Sequence, residues 1–149
     1  MGLLQNKKAL IVGALNNHSI AYGIAKAMHR EGAEIALTYQ NEKLKSRVEK
    51  IASEVNSNLL FQCDLSSDEQ IEKTFSDLKN HWDKFDILVH SAAFAPSEQL
   101  EGDYVDSVTR EGFKIAHDIS SYSFAALAKA AKPVLNEGAS LLTLSHFYM

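Results

Sequence analysis

Short apolar runs alternate with segments of helical spacing along almost the whole chain, and that alternation limits the possible folds more than any single motif. The runs Lys8-Ala9-Leu10-Ile11-Val12-Gly13, Ala33 to Tyr39, Leu59-Leu60-Phe61-Gln62-Cys63, Phe85-Asp86-Ile87-Leu88-Val89-His90 and Ala139 to Ser145 have strand character. The first is a continuous apolar run ending in glycine, as expected of a strand buried on both faces. Between the first two, Ile20, Ile24 and Met28 recur at intervals of four in a helix from Ser19 to about Glu31, which Gly32 stops. Leu44, Val48, Ile51 and Val55 place one apolar stripe on a second helix. Ser67-Asp68-Glu69-Gln70 has capping-box spacing and opens a third, with Ile71, Phe75, Leu78 and Trp82 facing inward.

An irregular stretch, Ala92 to about Asp103, follows the fourth strand, and loops of that length are often functional. A long helix then begins at about Val105 or Arg110 and runs to Lys132, ended by Pro133 and Asn136-Glu137-Gly138. Its stripe Phe113, Ala116, Ile119, Phe124 and Leu127 is expected to be mostly core. Alternation of this kind, with short connections, predicts an α/β fold: a Rossmann-like, doubly wound parallel sheet in the order 3-2-1-4-5, covered by helices on both faces. The expectation is one domain over residues 1–149.

Composition excludes several functions. With 46% hydrophobic and 23% charged residues and two prolines among 149, the chain can build a core and is a poor candidate for disorder. Fifteen basic against nineteen acidic side chains give a net charge of −4, and no long basic run marks a nucleic-acid binder. The single Cys63 excludes an internal disulfide framework and fits a reducing compartment. The first residues lack a signal-peptide run, and Asn6 stands where myristoylation would want Ser or Thr. The longest apolar stretch, around Ala9 to Leu15, falls short of the ~18 residues of a membrane span, so a soluble cytoplasmic domain is expected. His18, His29, His81, His90, His117 and His146 show no metal-binding spacing, and no metal site is expected. Cys63, ending a strand, is expected to be a small buried residue and not a nucleophile.

The turn from Val12 to Gly23 is the most informative local feature. In doubly wound folds the junction of first strand and first helix receives a dinucleotide pyrophosphate, because the helix N-terminus offers free N–H groups and partial positive charge. Here Gly13 and Gly23 stand ten positions apart with polar residues between, wider than the usual glycine fingerprint. Spacing alone therefore leaves two readings open, a cofactor loop or an ordinary turn with Ser19 as N-cap.

The run Gly13…Ser19-Ile20-Ala21-Tyr22-Gly23-Ile24-Ala25 resembles the cofactor loop of bacterial enoyl-acyl-carrier-protein reductases, a branch of the short-chain dehydrogenase/reductase superfamily. Cys63-Asp64-Leu65, His90 to Pro96 and Gly102 to Phe124 resemble the same family, in order, and the likeness extends from about residue 5 to Ser145. The resemblance implies NADH as cofactor: Gly13, Ser19 and Ile20 on the pyrophosphate side, Gln40 at the adenosine end, Asp64 and Leu65 at the adenine, and Ala92 beside the cofactor. Ala95 would lie near the thioester substrate. Gln40 stands 27 positions after Gly13, past the second strand, where an adenosine-ribose contact belongs. A neutral residue there, with no arginine within a few positions to receive a 2′-phosphate, favours NADH over NADPH. Ala92-Ala93 replaces the family's larger aliphatic and glycine, which adds a side chain where the cofactor would approach.

The implied reaction is NADH-dependent reduction of a trans-2-enoyl thioester carried on acyl carrier protein, with the long helix 110–132 available for homo-oligomer contacts. In the family a tyrosine, assisted by a lysine, stabilises the developing enolate, and a further tyrosine follows the fifth strand. His146 occupies that first tyrosine's position, and no later tyrosine–lysine pair follows, so no catalytic residue is assigned. The expectation is a C-terminally truncated reductase, inactive alone, from a frameshifted or prematurely stopped gene, with an exposed apolar fifth strand that makes it poorly soluble. The competing readings are a non-catalytic NAD-binding or subunit-association fragment and a degraded product without a role. An ordinary short-chain dehydrogenase acting on a carbonyl is disfavoured by the wide Ser19-Ile20-Ala21-Tyr22-Gly23 loop.

Overall fold

A computed structural model describes residues 2–145. The strands are β1 (Lys8–Val12), β2 (Glu34–Tyr39), β3 (Leu59–Gln62), β4 (Phe85–His90) and β5 (Leu135–Thr143), and the helices α1 (Ile20–Arg30), α2 (Glu42–Glu54), α3 (Asp68–Lys79), α4 (Tyr104–Ser107), α5 (Arg110–His117) and α6 (Ser123–Ala131). All strand pairs are parallel, in one sheet ordered β3-β2-β1-β4-β5. This is the expected doubly wound topology.

Alternation along the strands explains why both faces are covered. Ala9 and Ile11 of β1, Ile35 and Leu37 of β2 and Val89 of β4 meet α1 and α2 in one core. Leu10, Val12, Ala36 and Leu88 point the other way, where Ile71, Phe75 and Leu78 of α3 and Leu127 and Ala131 of α6 complete a second core. A strand with two buried faces favours apolar residues throughout, hence the near-continuous apolar runs, and the buried polar exceptions, Thr38 and His90, stand at or near strand ends. Trp82, with 2% of its surface exposed, settles its indole by donating to Glu34 Oε1 at 2.8 Å.

Several local expectations change. Ile20 is 58% exposed; Ala21 and Ala25 form the buried seam of α1, with Ile24 and Met28 flanking it. Small residues let the helix approach β1 and β2 closely, and a hydropathy stripe cannot distinguish that seam from its flank. The capping box at Ser67 is half formed: Ser67 accepts from the Gln70 N–H, but Gln70 Oε1 accepts the Asp64 N–H instead of bonding back to the cap.

The long helix expected over 110–132 is interrupted. Val108 is extended and separates α4 from α5, and a π-helical turn, Asp118–Tyr122, joins α5 to α6. The helical course then closes in a 3₁₀ turn, Lys132–Val134. Of its stripe only Leu127 is buried, while Phe113 is 54% exposed, because α5 stands away from the sheet. β5 starts earlier than expected, at Leu135, and bulges between the pairings Phe85↔Leu135 and Ile87↔Ser140. Asn136 bridges this bulge to Asp86 Oδ1 at 3.0 Å.

Candidate functional site: a cleft at the strand C-termini

β1, β2, β3 and β4 end on the same edge of the sheet, and a cleft of about 260 Å³ opens there. Ligands of open α/β sheets bind at this edge, where the strand order reverses between β1 and β4. Gly13 begins the turn after β1 at φ +101°, and a Cβ there would run into the carbonyl of Ser91. The Ser91 N–H donates to Val12 O at 2.8 Å, so this turn and the segment after β4 are laced together at the cleft floor. The other walls come from Thr38 and Tyr39 at the end of β2, Gln40 just after it, Leu44, Arg47 and Val48 of α2, Cys63 and Leu65 after β3, Ala92 to Phe94, and Ile119 of the π turn.

Charge is sparse in this cleft. Arg47 is the only ionic side chain among the described residues lining it. The first turn of α1 carries no acidic residue either, so nothing there opposes an anion at that N-terminus. Ser19 caps the helix: its Oγ accepts from the Tyr22 N–H at 3.3 Å and donates to Asn16 O at 2.8 Å. Burial, the main influence, pushes the Cys63 thiol above its ordinary pKa, so it remains a protonated, apolar wall residue.

A second, largely apolar pocket of about 530 Å³ adjoins the first and shares Ala93 and Phe94 with it. Its walls include Ala95, Leu100, Tyr104, Val108 and Phe113. Phe94 is fixed between the two pockets because Ser120 Oγ accepts its N–H at 2.9 Å and donates to its carbonyl at 3.1 Å.

Of the residues singled out in the sequence, Gly13, Gln40, Leu65 and Ala92 line the first cleft and Ala95 the second. Ser19, Ile20 and Asp64 are not among the wall residues. Asp64 Oδ1 accepts from the N–H and hydroxyl of Ser66 at 2.9 and 2.7 Å, which orders the turn before α3. His146 lies outside the described residues. The sequence does not single out Arg47 and marks Leu44 and Ile119 only as helix-stripe residues, since a helical position alone does not show which cleft it reaches; Arg47 comes seven positions after Gln40 and reaches the same cleft.

A family model described as enoyl-(acyl carrier protein) reductase matches residues 13–149. The chain belongs to this enoyl reductase family. It is 59% identical over 146 residues to the NADH enoyl-[acyl-carrier-protein] reductase FabI of Escherichia coli (strain K12), and the match covers 98% of this chain and 56% of that protein. The corresponding reductase of Haemophilus influenzae is 54% identical with the same coverage. The chain thus spans little more than half the length of these curated relatives. Among solved structures, the NADH reductase of Aquifex aeolicus superposes with a TM-score of 0.94 at 48% identity, covering 97% of this chain and 57% of that one. The reductase of Anaplasma phagocytophilum in complex with NAD gives 0.92 at 40% identity, covering 97% and 55%. Among the described residues no helix is long and apolar enough to cross a membrane, and no group of three or more His, Cys, Asp or Glu could hold a metal.

Proposed function

We propose that residues 1–149 form the nucleotide-binding domain of an NADH-dependent enoyl-acyl-carrier-protein reductase of fatty-acid synthesis, working in the cytoplasm. The observation that carries this reading is the cleft at the β1/β4 switch point, floored by Gly13 and free of carboxylates in its walls. A dinucleotide brings negative charge and two flat rings, and the cleft offers the 13–16 turn that leads into α1, Arg47 and apolar surfaces of Leu44, Val48 and Leu65 to meet them.

In this reading Gly13 and the capped end of α1 hold the pyrophosphate side, with Ser19 and Ile20 contributing through the loop they anchor. Gln40 takes the adenosine ribose, Leu65 packs on the adenine, Asp64 shapes the turn that presents Leu65, and Ala92 lies beside the nicotinamide. Bound NADH supplies a hydride for the β-carbon of an enoyl thioester. The acyl group, delivered on acyl carrier protein, lies against the apolar pocket around Ala95 and Phe94. No lysine lines either pocket among the described residues, so these residues bind and orient but do not supply the assisted proton donor. The exposed face of α5 and its Phe113 provide a homo-oligomer contact.

The test is a calorimetric titration with NADH beside an assay of NADH oxidation by a crotonyl thioester. Binding with little or no turnover is expected; absence of NADH binding overturns the reading, and rapid turnover overturns the assignment of the proton donor elsewhere.

A further inference from the structure

The last residue of β4, His90, is fully buried, yet both ring nitrogens are bonded. Nε2 lies 2.7 Å from Ser123 Oγ and Nδ1 lies 2.8 Å from Thr143 Oγ1. Ser123 has one hydroxyl proton, and it is spent on Ile119 O at 2.6 Å. Its oxygen therefore accepts from the imidazole, which puts the ring proton on Nε2 and leaves Nδ1 to accept from the Thr143 hydroxyl. The bonds tie β4 to the end of β5 and to the first residue of α6, immediately after the π turn.

That turn is where the connection reaches the cleft. Ile119, held by Ser123, lines the cleft itself, and Ser120, the next residue, clamps both backbone groups of Phe94. We propose that His90 is a positioning residue: as a neutral Nε2–H imidazole it sets the π turn, and through Ile119 and Ser120 it holds the Phe94 wall between the two pockets. Its consequence for ligand binding rests on the dinucleotide reading above; its effect on the wall does not.

A second proton on the ring would convert Nδ1 from acceptor to donor, force the Thr143 hydroxyl to turn, and leave a buried charge without a counter-ion. The ionisable groups on the surrounding elements are Lys8 on β1, Asp86 on β4, Glu137 on β5, Asp118 and Tyr122 in the π turn and Lys129 on α6. None of them bonds the imidazole. Asp86 lies at the opposite end of β4, where its Oδ2 accepts the Lys8 backbone N–H at 2.9 Å and its Oδ1 lies 4.0 Å from the Lys7 ammonium, and the Phe124 ring lies beside the imidazole, 5.3 Å away between centroids. Burial accordingly disfavours the imidazolium.

The experiment uses the full chain and its His90→Gln variant, which keeps an N–H for Ser123 and cannot titrate, with His90→Ala for comparison. The protection factor of the Phe94 amide against hydrogen exchange is expected to hold in the parent from neutral pH to about pH 6.5, to fall about tenfold as pH drops below the ordinary histidine range, and to stay level in His90→Gln. NADH affinity should follow the same pattern, and nitrogen NMR of the parent at neutral pH should show His90 protonated on Nε2 alone. The same acid-side loss in His90→Gln, or an Nδ1-protonated ring, would overturn the proposal. If the variants collapse, the parent's tautomer and Phe94 profile still decide it. Failure of NADH to bind at any pH, with the Phe94 pattern intact, would sink the dinucleotide reading and leave the positioning role standing.

Discussion

Gly13 and Ser91 approach so closely at the ends of β1 and β4 that the carbonyl of Ser91 fills the place a Cβ on Gly13 would need. Gly13 also sits at φ +101°, a region L side chains rarely adopt. Gly13→Ala is therefore expected to cost about 2–4 kcal/mol, from strain and from parting the two segments. Urea unfolding measures this, and a midpoint equal to the parent's would contradict the packing described.

Ser19 serves the loop in two directions, toward Asn16 and toward Tyr22. Ser19→Ala should lower stability by about 1 kcal/mol, the usual worth of an N-cap, while Ser19→Asp should retain most of it. Thermal unfolding of the two variants checks the order. If NADH binds at this helix end, Ser19→Asp should also weaken NADH, because it adds a negative charge where the pyrophosphate belongs.

Arg47 supplies the charge of the cleft. Arg47→Glu should weaken NADH about tenfold, equivalent to about 1.4 kcal/mol, with the loss shrinking as salt rises. Equal affinities at low salt would place the nucleotide elsewhere. The same arginine bears on the choice between NADH and NADPH: the absence of an arginine close to Gln40 in sequence favoured NADH, but the fold brings Arg47 to the same cleft.

His90 gives stability a pH dependence of definite sign. Its folded pKa lies below the ordinary value of 6.5 because burial disfavours the charged ring. The unfolded chain then takes up the proton first as pH falls. This contribution is complete above about pH 6.5 and is lost on the acid side until the folded ring titrates too. Unfolding free energies from neutral pH downward should decline in the parent more steeply than in His90→Gln.

The fold was legible where physics is local and repetitive. The two-faced burial of β1 and β2, the Gly32 stop and the inward Ile71, Phe75 and Leu78 of α3 follow from side-chain periodicity and appear where expected, while Trp82, also expected on that helix, is buried just past its end. The interrupted long helix was not legible, because a π turn adds one residue to a helical turn without a distinctive composition. The candidate cleft was legible at Gly13 and Gln40, which line it and whose places follow from the ends of strands. It was hidden at Arg47 and Ile119, which enter the cleft only because α2 and the π turn fold over it.

β5 shows an apolar surface, with Leu141 38% and Leu142 43% exposed, and pairs with β4 alone among the described residues. Such an edge templates association. Leu141→Lys with Leu142→Lys should reduce light scattering of the purified chain at a given concentration without altering the helical signal of its circular dichroism. Unchanged scattering would move the source of self-association to another surface, such as Phe113 on α5.

The most direct test of the account is a map of NADH on the chain by amide NMR. The account predicts saturable binding of one NADH per chain, with shifts concentrated at Gly13 to Asn16, Gln40, Arg47, Leu65 and Ala92 to Phe94. Shifts confined to other surfaces, or no saturation at all, would contradict it.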